Sequence, residues 1–207
     1  MPRCVISEKA LEMNVFENTV RIIRKHIQKA YIYGYSTRME AYHGLDCSIN
    51  IPHFMRVVSF QYKKPMYSLD TIYRFVLNRE GSHQLSMVVA LALVIKEALR
   101  KDPHVYYALP CICNSQELEN TSPNFANRTL FIPALNLARI ADHDRHIAEV
   151  DIHSQKYVIH SKQKYEGKAL SFEELRNKIL ISLEKHDIPT AKELKRLRIP
   201  VNTLKEI

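Results

Sequence analysis

The segment SHQLSMVVALALVIKEALRK, residues 82–101, limits the fold more than any other part of the chain. Between Leu85 and Leu99 almost every position is apolar, and charge enters only at Lys96, Glu97 and Arg100. A helix apolar on most faces has to be covered on most faces. With Ser82 as its cap, the segment is expected to form a central buried helix, packed by whatever the flanking segments supply.

Those segments differ in period. Residues 7–32 repeat apolar positions at helical spacing (Phe16, Val20, Ile23, Ile27), with Ser7 as the cap. The following stretch to Phe54 is broken by Gly34, Gly44 and Pro52 and reads as loop with short elements. HFMRVVSFQY is an apolar segment of either type, and Ser68 or Asp70 is expected to cap a short helix through Leu77. After the core helix the period falls to two: HVYYALPCI and TLFIPAL read as strands around the polar loop ELENTSPNFANR. HIAEVDI and KYVIH form a hairpin in which Ala148, Val150 and Ile152 share a face. Two capping-box patterns, Ser171 with Glu174 and Thr190 with Glu193, open C-terminal helices that Pro189 and Pro200 interrupt.

The expected fold is α+β, in one domain over 1–207. N-terminal helices (1–66) precede the central buried helix and an antiparallel sheet (67–165), and C-terminal helices (166–207) follow. A hydrophobic fraction of 46% and a charged fraction of 25% fit a globular chain. No window of about eighteen uncharged apolar residues occurs, so no membrane span is expected. The first twenty residues lack the regions of a cleavable signal peptide. The expected location is the cytoplasm, or outside the cell by a route without such a signal. Cysteines 4, 47, 111 and 113 have no zinc-finger spacing and are expected to be free, buried thiols. No cofactor is expected.

The formal charge is +8, yet the basic residues are dispersed and the densest cluster is KELKRLR, Lys192 to Arg198. Nucleic acid therefore ranks below a protein or peptide as partner. A non-enzymatic basic interaction module, with IPTAKELKRLRIPVNTLKEI as two short helices against phosphates, is the alternative to an enzyme.

The enzymatic expectation comes from LFIPALNLARIADHDRHIAEVDIHSQKYVIHSK, residues 130–162. It resembles the core of SUMO- and ubiquitin-deconjugating proteases, in which a catalytic histidine opens one strand and an acid closes the next. The resemblance implies His146 as general base and a ubiquitin-like protein as substrate. His160 stands where those proteases carry aspartate, and no cysteine follows Cys113. LDCSIN resembles the DCS nucleophile motif of papain-like cell-wall endopeptidases, some of which use a second histidine. That likeness implies a papain-like fold and a triad of Cys47 as nucleophile, His146 as base and His160 as orienting group, acting on amides. In the transglutaminase-like variant the nucleophile begins the buried helix, where this chain has Ser82 and His83. The site is either whole or incomplete. A further alternative follows from ADHDRH and HFMRV, which resemble HD-domain phosphohydrolases. They would make His53, His143 and Asp144 metal ligands, given a helix over residues 134–150.

Overall fold

The computed structural model describes residues 3–26, 31–34, 44–51, 56–121, 125–140 and 143–198. The fold is α+β, with helices towards both ends and two five-stranded sheets rich in antiparallel pairs.

The first sheet contains β1 (Tyr31–Gly34), β2 (Cys47–Ile51), β3 (Arg56–Tyr62), β6 (Val105–Pro110) and β7 (Thr129–Pro133), in that spatial order. Its single parallel pair is β3 with β6, in register from Ser59 opposite Val105 to Tyr62 opposite Ala108. The second sheet runs β10 (Lys164–Lys168), β9 (Lys156–His160), β8 (His146–Asp151), β5 (Ile72–Asn78), β4 (Pro65–Leu69), all antiparallel. Among the described residues, the 66 N-terminal residues thus carry β1, β2, β3 and the start of β4 besides helix α1 (Glu8–His26).

Burial explains the patterns. β6 is buried at all six positions because both faces of the first sheet are covered, so VYYALP shows no alternation. β8 alternates strictly, with His146, Ala148 and Val150 inward and Ile147, Glu149 and Asp151 towards the outer face. β10, with Lys164, Glu166 and Lys168, is an edge protected by charge. No helix follows Ser68 or Asp70. Asp70 takes a left-handed φ of 51° in the two-residue turn between β4 and β5.

Helix α2 (Gln84–Leu99) buries Leu85, Val88, Val89, Ala92 and Ile95, a single stripe, while Val94 is 42% exposed. It is thus less enveloped than its composition implies. Its outward positions are filled by the small side chains of Ala90, Val94 and Ala98, which leave little apolar area in water. The buried stripe joins one face of each sheet in a common core with Tyr73, Phe75, Tyr107, Ile132, Val150 and Ile159. Burial of each such side chain contributes roughly 1.5–3 kcal/mol.

A second core fills the other face of the first sheet, where Ile49, Val58, Phe60 and Phe131 meet Leu11 and Val20 of α1 and Phe172, Leu175 and Ile179 of α4 (Phe172–Glu184). The segment expected as polar loop forms α3 (Ser115–Thr121) and a short 3-10 turn, Phe125–Arg128. Both capping boxes are present, at the starts of α4 and of α5 (Ala191–Arg196). Ala191 and Leu194 are buried, and Lys101 pairs with Glu193 at 2.8 Å, so α5 packs on the body. The second helix of the nucleic-acid reading falls at 199–207, outside the described residues. Among the described residues, no helix is long and apolar enough to cross a membrane.

Candidate functional site

The start of α2 is where the loops of the second sheet converge. Asn78 ends β5 opposite His146, which opens β8. The Asn78 side-chain amide donates to the carbonyls of Ser82, at 3.1 Å, and Asp144, at 3.0 Å. Its Oδ1 accepts from the amide of Leu85 at 3.4 Å, and Ser82 Oγ accepts from Gln84 N at 3.3 Å. Two of the helix's first amides are thereby satisfied by side chains. Gly81 N donates to the His143 carbonyl at 2.8 Å, and the His83 and His143 rings meet edge to face at 3.9 Å. The helix start, the end of β5 and the start of β8 are tied into one corner.

Beside this corner opens a cavity of about 960 Å³. Its walls carry Arg3, Lys63, Lys64 and Arg79 against one carboxylate, Glu8, with Met66, Leu77 and Met87 as apolar floor. Among the described residues, none of these four cations lies within ion-pair distance of a carboxylate. The Lys63 ammonium donates instead to the neutral Oε1 of Gln84. Burial pushes its pKa down from 10.5, and Arg79 adds to this while Asp46 and Glu8 oppose it. Asp46 is itself engaged, accepting from Gln61 Nε2 and Tyr62 N at 2.6 Å each.

The residues expected to form a triad stand apart. Cys47 lies on the face of the first sheet that packs against α1 and α4, in the core that excludes α2. It is 3% exposed, its thiol donates to Tyr62 Oη at 3.4 Å, and burial raises its pKa well above 9.0. His146 is 1% exposed on the inward face of β8. His160 pairs with Ile147 in register and therefore projects from the opposite face of the sheet. There its Nε2 lies 2.9 Å from Glu149 Oε2, and Glu149 also binds Arg74. The structure brings His146 to the helix start and does not bring Cys47 or His160 to His146.

The metal reading needs a helix over 134–150, and among the described residues of that span no α-helix forms. A 3-10 turn at Ala134–Leu137 is followed by strand β8. His143 lies in the loop before that strand, Asp144 pairs with Lys162 at 2.8 Å, and His53 lies outside the described residues. Among the described residues, no three His, Cys, Asp or Glu side chains are grouped to hold a metal.

Asn78, Lys63 and Arg79 belong to no motif in the sequence. The only available signal was local: KK before Pro65 and an Asn-Arg pair at a strand end, both within reach of the capping segment GSHQ. No family model matches the chain, and neither a curated protein nor a solved structure does.

Proposed function

We propose that this chain is a binding module that takes an acidic peptide segment into the cavity beside α2. It uses the helix-and-sheet frame of a cysteine hydrolase with the catalytic set incomplete. The observation that carries the reading is Lys63, a desolvated ammonium held by a neutral amide, with Arg79 alongside. Desolvation of the Lys63 ammonium costs free energy in the unliganded protein, and an incoming carboxylate or phosphate offsets that cost. The methionines and Leu77 offer apolar contact between the charges, which favours a peptide over a bare polyanion. His146 at the helix start supports the hydrolase likeness of the frame, and the distance in the fold between Cys47 and that corner supports incompleteness.

The test is fluorescence anisotropy with a labelled Glu- and Leu-containing peptide, run beside a single-stranded oligonucleotide of equal charge from 50 to 300 mM salt. The expected result is saturable peptide binding that Lys63→Ala with Arg79→Ala weakens at least about tenfold, without cleavage of the peptide. Tighter oligonucleotide binding, or binding indifferent to the two substitutions, refutes the proposal. Peptide cleavage abolished by Cys47→Ala would restore the hydrolase.

A further inference from the structure

The four cysteines are not equivalent. Cys47 is committed to Tyr62, and Cys111 donates to the Leu109 carbonyl at 3.5 Å deep in the core. Cys4 and Cys113 face each other. The N-terminal stretch lies along the edge of β4, where Arg3 bridges Tyr67 and Cys4 N donates to the Met66 carbonyl at 3.0 Å. On its other side, Val5 N donates to the Cys113 carbonyl at 2.9 Å. Cys4 is therefore clamped between β4 and the segment after β6, where its thiol donates to the carbonyl of Ile112, the residue before Cys113, at 3.5 Å, with the Cys113 thiol within hydrogen-bonding reach of its sulfur. Chains joined by such a backbone bond run about 5 Å apart, inside the window of roughly 4.4–6.8 Å that a disulfide requires between Cα atoms.

Access is unequal in a useful way. Cys4 is half-buried in the cavity wall, whereas Cys113 is fully buried behind it. The Cys113 hydrogen bond brings the Cys4 thiol down from 9.0 to about 7. Burial opposes this, while a backbone bond from Ile6 and the Lys64 ammonium assist. The same bond, together with burial, pushes the Cys113 thiol up and keeps it protonated. One partner is a reachable thiolate near neutral pH and the other a protonated neighbour already in contact.

We propose that Cys4 and Cys113 form an oxidant-reactive dithiol site, in which Cys4 attacks a hydroperoxide and Cys113 resolves the product to an intramolecular disulfide. The Cys4 thiolate attacks one peroxide oxygen and the O–O bond breaks. With hydrogen peroxide, hydroxide leaves and takes up a proton, and Cys4 becomes a sulfenic acid, oxidised by two electrons. The Cys113 sulfur then attacks the Cys4 sulfur, and its proton leaves with the displaced hydroxyl as water. Two thiols and one peroxide give one disulfide and two waters. Disulfide formation does not require the cavity to take a peptide, and a peptide seated there would cover Cys4.

The experiment treats the reduced full chain with one equivalent of hydrogen peroxide, followed by non-reducing digestion and mass spectrometry. The expected product is a peptide linking Cys4 to Cys113 that dithiothreitol separates. In Cys113→Ser, dimedone should trap the sulfenic acid on Cys4, and in Cys4→Ser no linked peptide should form. Should Cys113→Ser fail to fold, alkylation of the native chain at pH 7 decides: Cys4 should react at least about tenfold faster than Cys47 or Cys111. A link between other cysteines, Cys4-to-Cys4 dimers as the main product, or Cys4 reacting no faster than Cys47 would overturn the proposal.

Discussion

Gly167 in β10 sits opposite Tyr157 of β9, and the ring of Tyr157 lies over it. A Cβ at 167 would overlap the phenol oxygen and two ring carbons. The backbone there is ordinary strand, so the penalty of Gly167→Ala is steric alone. Tyr157 has little room to yield, being 1% exposed, with its hydroxyl hydrogen-bonded to the Asn136 side chain. Overpacking of this kind costs about 1–3 kcal/mol, and replacing a strand glycine returns roughly 0.5–1 kcal/mol. At the middle of both ranges a net loss of about 1 kcal/mol remains, a fall of roughly 2–4 °C in Tm for a chain of this size. The assay is thermal unfolding in a double-mutant cycle with Tyr157→Ala. Alone, Tyr157→Ala should cost about 3–5 kcal/mol. In that background Gly167→Ala should become neutral or slightly stabilising, a coupling of about 1–3 kcal/mol. Equal penalties in both backgrounds, or none in the wild type, would refute the steric account.

Other perturbations have equally defined outcomes. His104 is 1% exposed with Nδ1 2.9 Å from Tyr106 Oη, and burial lowers its pKa from 6.5 to about 4, while Lys178 adds to this and Asp102 and Asp187 oppose it. Between pH 6.5 and 4 the unfolded chain binds a proton that the folded chain refuses, so stability should fall with pH across that window by up to about 3 kcal/mol. His104→Gln should flatten the fall in urea titrations at stepped pH. Lys63→Met removes an ammonium that burial disfavours, so Tm should rise at pH 7 while peptide affinity drops. The wild type should close the stability gap as pH rises towards 10.5, because its lowered pKa lets the folded state lose the proton first. A lower Tm for Lys63→Met would count against the unmatched charge. Glu193 titrates at about 2: burial would raise it, but hydrogen bonds from Lys101 and Thr190 hold it down. Its contribution is complete above pH 4.5 and is lost as pH falls towards 2. Glu193→Ala should cost about 1–2 kcal/mol at pH 7 by calorimetry, and nothing below pH 2.

Legibility in the sequence followed locality. The core helix, both capping boxes and the β8–β9 hairpin are written in residues a few positions apart, and each was readable. The β4–β5 hairpin was not, because Asp70 serves a tight turn as well as it serves a helix cap, and Ser68 is a buried polar residue inside a strand. β10 was missed because an edge strand of Lys, Tyr, Glu and Gly carries no apolar alternation. The candidate site was legible only in part. His146 at a strand start was recognisable, and the structure places it at the start of α2. Cys47 and Ile49 share a face by simple alternation, but which helices that face meets depends on pairing between distant strands. Asn78, the residue that ties the corner together, is a neutral amide in no motif.

The parallel contact between β3 and β6 has a consequence during synthesis. β3 is complete at Tyr62, yet its neighbour begins at Val105, and β5 is complete at Asn78 while β8 begins at His146. At translation rates of about 5–20 residues per second, β3 waits roughly 2–9 s and β5 roughly 3–14 s with an unpaired edge. Neither sheet is encoded in one continuous stretch, so cleavage between Tyr62 and Pro65 would not release two separate folding units. It would yield two fragments that complete the first sheet only by finding each other.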